Sequence, residues 1–207
     1  MAVLTLTTDW GIQDHYVAAF KGRMFSGCPE INIVDISNSI ATYDIIKASY
    51  VLKSSFMHFP PGTIHFVGVS KYDNIKRKDA QGLKRVVVRC HNQYFIGSDS
   101  GIFSLVLGSA PKEIIMLRDI DFENELDKYA EAICHLAKGK PMEELGDKID
   151  AVTELYMLAP TMDNSMIRCT VIYFDAFGNA VTNLTRQQFE EGRKDRRFTR
   201  SEEHTSE

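Results

Sequence analysis

Val3-Leu4-Thr5-Leu6-Thr7-Thr8-Asp9-Trp10-Gly11-Ile12-Gln13-Asp14-His15-Tyr16-Val17-Ala18-Ala19-Phe20-Lys21 is the stretch on which the fold turns. Val3 to Thr8 is apolar and β-branched and reads as a strand. Asp9-Trp10-Gly11 breaks it. From Tyr16 to Phe25, the spacing of Tyr16, Val17, Phe20 and Met24 is helical. The pattern then repeats: a strand over Ile31 to Ile36, a helix over Asp44 to Phe56, and a strand over Thr63 to Val69. The second helix should bury Ile45, Ala48, Tyr50, Leu52 and Phe56. Arg85 to Cys90 and Gln93 to Ile96 read as a hairpin around His91-Asn92. Phe103 to Leu107 is short and apolar, and Lys112 to Leu117 is a further strand candidate. Leu126 to Lys138 reads as a helix ended by Gly139, with Pro141 beyond. Strands alternating with helices through residue 138 predict an α/β domain with a largely parallel sheet. Ligands of such sheets bind at the carboxyl ends of the strands, where Asp9 and Ser70 fall.

The character changes near Leu155 to Asn164, which reads as a linker. Met166 to Phe174 is then a strand, Phe177-Gly178-Asn179 a turn, and Ala180 to Leu184 another strand. These open an all-β unit, and two or three strands without a partner sheet bury too little apolar surface to close one. Arg200 to Glu207 reads as the in-frame translation of a sequencing adapter. It is set aside as a suspected non-native tail, with the natural sequence expected to end near Thr199.

The 207 residues are 44% hydrophobic and 25% charged, enough apolar material for a real core. A net charge of −4 gives no electrostatic footprint for nucleic acid. No apolar run approaches the ~20 residues of a membrane span, and Met1 leads directly into a strand, without a signal peptide. Cys28, Cys90, Cys134 and Cys169 are too widely spaced for a thiolate zinc site, and no histidines pair at metal-ligand spacing, so no metal is expected. Buried free thiols in a reducing cytoplasm fit best. His135, Tyr129, Ile133 and Leu136 read as buried or partly buried packing residues.

Three short segments could carry chemistry. Asp9 and Asp14 can set two carboxylates beside one pocket, suited to ribose hydroxyls or an ammonium group. Turn and cap chemistry explains the same residues, with Asp9 closing an Asx-turn and Asp14 capping the following helix. Ser98-Asp99-Ser100-Gly101 could line a pocket with backbone groups or be a plain turn. Asp175-Ala176-Phe177-Gly178-Asn179 could offer a stacking ring and an amide to an aromatic ligand, or be a hairpin turn with Gly178 at positive φ.

Together and in this order, the segments resemble the adenosine-forming S-adenosylmethionine hydrolases, relatives of the fluorinating and chlorinating enzymes that use the same substrate. Thr8-Asp9-Trp10-Gly11, Asp14, Tyr16-Val17 and Lys21-Gly22 match the family's N-terminal pattern. Val34-Asp35-Ile36-Ser37 resembles its second strand, and Phe59-Pro60-Pro61-Gly62-Thr63-Ile64-His65 its third-strand entry. Ser98 to Gly101 resembles its Pro-Asp-Asn-Gly turn, and Asp175 to Asn183 its Asp-Arg-Phe-Gly-Asn-x-x-Thr-Asn motif. The resemblance implies a Rossmann-like α/β domain over residues 1–160, the start of a truncated C-terminal β-barrel domain over 161–199, and the non-native tail over 200–207. It also implies a homotrimer that binds S-adenosylmethionine as a small-molecule substrate between neighbouring chains, with no other cofactor. Asp9 matches the ribose-diol carboxylate. Trp10 stands beside it, where the family has Phe or Leu, and is counted with it among the substrate-binding residues. Asp14 and Tyr16 match neighbours of the methionine end and reacting centre, and Asp175, Phe177 and Asn179 match the methionine and adenine contacts.

The implied chemistry is displacement at the 5′-carbon by water. The family holds that water with an Asp-Arg-His set, and here the sequence departs. Arg77 is retained, but Ser70 stands at the Asp position, and Glu123 or Asn124 stands where the His is expected. Asp73 or Glu123 is the candidate replacement acceptor. Two alternatives follow: a catalytically impaired S-adenosylmethionine or adenosine-binding protein, and a halide-dependent displacement.

Overall fold

The computed structural model describes residues 2–69, 84–110, 112–118, 125–194 and 196–201. The chain divides into two compact units, Met1–Tyr156 and Met157–Glu207.

In the first unit, seven strands among the described residues form one sheet. They are β1 (Val3–Thr8), β2 (Asn32–Ser37), β3 (Ile64–Gly68), β4 (Arg85–Cys90), β5 (Gln93–Ser98), β6 (Glu113–Leu117) and β7 (Gly146–Lys148), in the order β2-β1-β3-β5-β4-β6-β7. Five of them, β1, β2, β3, β5 and β6, run in one direction, and β4 and β7 run against it. The large, largely parallel sheet predicted from the alternation is therefore present. The helices are α1 (Tyr16–Gly27), α2 (Ile45–Ser55), α3 (Ile102–Leu107) and α4 (Glu125–Ala137).

The sheet is buried on both faces, as a parallel sheet must be. Leu4, Leu6, Phe66, Ile96 and Ile115 pack with Phe20, Met24 and Ile133 of α1 and α4. Val67, Val86, Val88, Phe95 and Ile114 pack on the opposite face with Ala48, Leu52, Ile102 and Phe103 of α2 and α3. The alternation Val86–Val87–Val88 across the two cores is the period-2 signature of a central strand.

Local chemistry sets the elements. Asp44 caps α2, its carboxylate accepting from Lys47 N at 2.9 Å. The helix buries Ser49 where Tyr50 was expected, and Tyr50 is only half-buried. The β4–β5 turn places both His91 and Asn92 at positive φ, 52° and 58°, as a tight hairpin requires. Phe103 to Leu107 is a helical turn, since a short apolar run fits either a strand or a buried helix.

The second unit holds two antiparallel ladders, β8 (Thr161–Met162) with β9 (Ile167–Arg168), and β10 (Val171–Phe174) with β11 (Ala180–Thr182). Helix α5 (Arg186–Arg193) follows, started by a reciprocal capping box between Thr185 and Gln188. The single strand expected over Met166 to Phe174 is broken at Cys169-Thr170. There Asn183 Oδ1 takes the Thr170 N–H at 2.8 Å, so a side chain replaces a ladder partner. No side chain among the described residues of this unit is buried, and Phe174 and Phe177 are largely exposed.

Cys28, Cys90 and Cys134 are buried free thiols, whereas Cys169 is exposed, against the expectation of burial. Burial pushes the Cys134 thiol up to about 11, with nearby Cys28 adding to the shift. No helix among the described residues is long and apolar enough to cross a membrane.

Candidate functional site

β1 has β2 on one side and β3 on the other, so the chain winds outward from β1 and then returns past it. That reversal is a topological switch point, whose crevice opens at the carboxyl ends of the strands. Asp9 is the first residue beyond β1. Its half-buried carboxylate accepts the Tyr43 N–H at 2.9 Å on Oδ2. Burial pushes the carboxyl above its ordinary pKa, while the hydrogen bonds from the Tyr43 and Asp9 backbone pull the other way. Asp9 bonds to a residue 34 positions away, so its carboxylate does more than close a local turn. The Tyr43 that meets it is one of four non-glycine residues with positive φ among those described, at 66°.

Asp14 does not cap α1. His15 occupies the N-cap position, and no side chain bonds the first amides. Asp14 is exposed, and Tyr16 is about half exposed, stacked on His15 with ring centroids 4.4 Å apart. Trp10 turns inward, meeting Phe20 edge-on at 5.5 Å and Phe66 at 5.6 Å. A Cβ at Gly68 would lie 2.9 Å from the Trp10 ring, so that strand end must be glycine for the indole to sit there. Trp10 thus closes the core beneath the site.

Sequence reasoning missed Asn38. Its Oδ1 accepts from Thr8 Oγ1 at 2.8 Å, and its carbonyl accepts from Gly11 N at 2.7 Å. The available signal was its position one residue past β2, on the same sheet edge as Asp9. Two motifs that looked separate in sequence also meet: Lys21 Nζ lies 2.6 Å from Asp35 Oδ2. Partial burial raises the Asp35 carboxyl, but hydrogen bonds from Lys21 and Asn38, together with the Lys21 charge, hold it below its ordinary value.

Ser98 to Gly101 is an internal anchor. Ser98 Oγ pairs with Tyr129 OH at 3.0 Å. Asp99 accepts from Thr153 N at 2.9 and 3.0 Å and from Thr153 Oγ1 at 3.0 Å. Gly101, at φ 92°, leaves no room for a Cβ, which would fall 2.4 Å from Leu155. The plain-turn reading holds there. His65 is also internal, between Thr5 and Gln93.

In the second unit, Asp175 organises its own turn. Oδ1 accepts from Phe177 N at 2.9 Å and Asn179 N at 2.8 Å, and Oδ2 accepts from Asn179 Nδ2 at 2.9 Å. Asn179's side-chain and backbone donors hold the Asp175 carboxyl below the usual range, with the Phe177 amide helping. Gly178 has φ 79°, and the turn presents Phe177 almost wholly exposed.

Ser70, Asp73, Arg77, Glu123 and Asn124 lie outside the described residues. Two clefts in the first unit, of about 230 Å³ beside Lys112, Asp150 and Glu154 and about 140 Å³ beside Arg118, His135 and Glu144, do not contain Asp9. No cluster of metal-binding side chains occurs among the described residues.

The family model described as the SAM hydroxide adenosyltransferase N-terminal domain matches residues 4–146. A protein of Methanocaldococcus jannaschii named (R)-S-adenosyl-L-methionine hydrolase is 26% identical over 191 residues, covering 90% of this chain and 68% of that protein. A protein of the same name from Thermus thermophilus is 26% identical, covering 86% of this chain and 73% of its own. A fluorinase of an Actinoplanes species is 24% identical, covering 91% and 73%. The crystal structure of an uncharacterized conserved protein from Thermotoga maritima superposes with a TM-score of 0.77 at 28% identity, over 92% of this chain and 74% of that one.

Proposed function

From the premise that this chain belongs to the SAM hydroxide adenosyltransferase family, we propose that it binds S-adenosylmethionine through Asp9 and converts it with water to adenosine and L-methionine. The observation that carries the reading is the Asp9 carboxylate itself. It stands half-buried at the switch point and is held by the Tyr43 amide, within a Thr-Asp-x-Gly step like that of the family. An ionised carboxylate is acceptor-only and suits the two hydroxyls of a ribose. Asp14 and Tyr16, exposed just beyond it, face the methionine end in this reading. The rigid Asp175 turn supplies Phe177 as a stacking face and Asn179 as an amide, contributed by a neighbouring chain of a homotrimer.

In the reaction, a water oxygen forms a bond to C5′ as the C5′–sulfur bond breaks and its electron pair returns to sulfur. Methionine leaves as a neutral thioether, so the leaving group needs no acid. The attacking water gives its proton to solvent or to a nearby acceptor. The protein's work is to hold water and sulfur in line across C5′. Ser70, Asp73, Arg77, Glu123 and Asn124 are assigned to the water on sequence alone. A second reading, binding without turnover, is favoured by Ser70 standing where the family has Asp.

The test is incubation with S-adenosylmethionine in chloride-free and chloride-containing buffer, with chromatographic analysis and parallel calorimetry. Equimolar adenosine and methionine, independent of chloride, support hydrolysis. A chlorinated nucleoside would replace it with halide-dependent displacement, and binding without product would favour the second reading. Asp9→Asn is expected to weaken binding about tenfold; absence of binding by the unaltered protein would sink the proposal.

A further inference from the structure

We propose that Asn38 is a positioning residue for Asp9, tying the backbone on both sides of it to the end of β2 and so fixing the direction in which its carboxylate leaves the sheet. The inference rests on the ribose-binding reading of Asp9.

Three hydrogen bonds define the arrangement. Thr8, immediately before Asp9, is fully buried and gives its hydroxyl to Asn38 Oδ1 at 2.8 Å. Gly11, two residues after Asp9, gives its N–H to the Asn38 carbonyl at 2.7 Å. The Asn38 side chain also helps to lower the carboxyl of Asp35, which pairs with Lys21 Nζ at 2.6 Å. Ile40 N donates to the Thr8 carbonyl at 3.3 Å, a second tie between the same segments. Asn38 itself is 6% exposed, too enclosed to meet a ligand directly.

A carboxylate accepts well only when the donor lies near its lone-pair directions, and the bond weakens steeply with misalignment. One Asp9 oxygen is already committed to Tyr43. Useful acceptance by the rest of the carboxylate therefore depends on where the backbone at Thr8–Gly11 points. The φ of Gly11, 74°, lets the chain double back to Asn38 at once, and a Cβ there would meet nothing within 4 Å. The requirement at Gly11 is therefore conformational. Lys21 pairs with Asp35 at the end of β2, and Asn38, three residues on, ties that end to Thr8, the residue before Asp9. A purely architectural role would stabilise this corner without favouring any ligand. A positioning role predicts a loss confined to ligands that carry the ribose diol.

Calorimetric titration of adenosine and 2′,3′-dideoxyadenosine separates the two. Asn38→Ala is expected to weaken adenosine about tenfold while changing the dideoxy analogue less than twofold. Thr8→Val should follow it, and Thr8→Ser, which keeps the hydroxyl, should restore the diol preference even if Asn38→Ala fails to fold. Equal weakening of both ligands, or no change in either, overturns the proposal. Failure of the unaltered protein to prefer adenosine would instead defeat the ribose reading. In that case the Asp9 carboxyl ¹³C titration and the Tyr43 amide shift, recorded without ligand, decide the positioning claim. Movement of both in Thr8→Val but not Thr8→Ser supports it, and identity with the unaltered protein refutes it.

Discussion

Lowering the pH from 7.5 to 4 is expected to cost this fold about 3 kcal/mol through one buried side chain, His65. The ring is 0% exposed. Nδ1 lies 2.7 Å from Thr5 Oγ1, and Nε2 lies 3.3 Å from Gln93 Oε1. Gln93 spends its amide hydrogens on the carbonyls of Phe56 and Phe59, at 3.2 and 2.8 Å, so its oxygen faces the ring. His65 Nε2 is therefore the donor, and Nδ1 accepts from Thr5: the neutral tautomer satisfies every group. The ring also stacks on Phe95 with centroids 4.9 Å apart. Burial lowers the His65 pKa from 6.5 to about 4, with the Gln93 bond resisting. In the unfolded chain the ring takes up a proton as the pH falls through 6.5, and the folded protein does so only near 4. Between those values the unfolded state holds more protons, so stability falls as the pH falls. At about 1.4 kcal/mol per pH unit, the interval gives about 3 kcal/mol. Urea unfolding from pH 7.5 to 4, for the unaltered protein and His65→Gln, measures it, since carboxylate contributions common to both cancel in the difference. Parallel stability curves across that window would refute the reasoning, as would a His65 imidazole resonance titrating near 6.5.

Three further outcomes test the surrounding structure. Asp99→Ala removes the acceptor of three Thr153 hydrogen bonds and should cost about 2–4 kcal/mol in urea unfolding, with Asp99→Asn losing less. In Gly97→Ala, the new Cβ would lie 2.5 Å from the Val67 carbonyl, within the β3–β5 pairing. The backbone there yields only by spreading the strands, so a loss of about 3 kcal/mol is expected in thermal melts. A thiol reagent should titrate Cys169 at once in the native protein and reach Cys28, Cys90 and Cys134 only on denaturation; rapid reaction of two or more thiols would contradict the burial described.

The periodic elements could be read from the sequence because burial on both faces leaves a strong local pattern: β1, α1, α2 and the β4–β5 hairpin fall where apolar spacing puts them. What failed has local causes. α3 was invisible because so short an apolar run fits two periods equally well. Asp14 looked like a cap, but the chain enters α1 one residue later, at His15. Tyr50 looked like core because spacing alone does not say which neighbour of a buried stripe is turned away. The candidate site was half readable. Asp9 followed from its place after a strand and from the motifs around it. Asn38, Tyr43 and the Lys21–Asp35 pair depend on which strand lies beside β1, and no local pattern specifies that neighbour. Trp10 was assigned to the ligand, yet its ring packs on Phe20 and Phe66.

The β4–β5 hairpin has a consequence for the order in which the sheet assembles. Its two strands are joined by a two-residue turn, yet it is β5, the later strand, that pairs with β3. A hairpin that closes before it docks would present that second edge directly to β3. Local hairpins close in roughly 1–10 μs, whereas pairing between distant segments must first overcome a larger loop-closure entropy. On that order of events the edge of β3 is filled late, after the turn at His91-Asn92 has closed. Slowing that turn should lengthen the time to a complete carboxyl edge while leaving the unfolding rate nearly untouched.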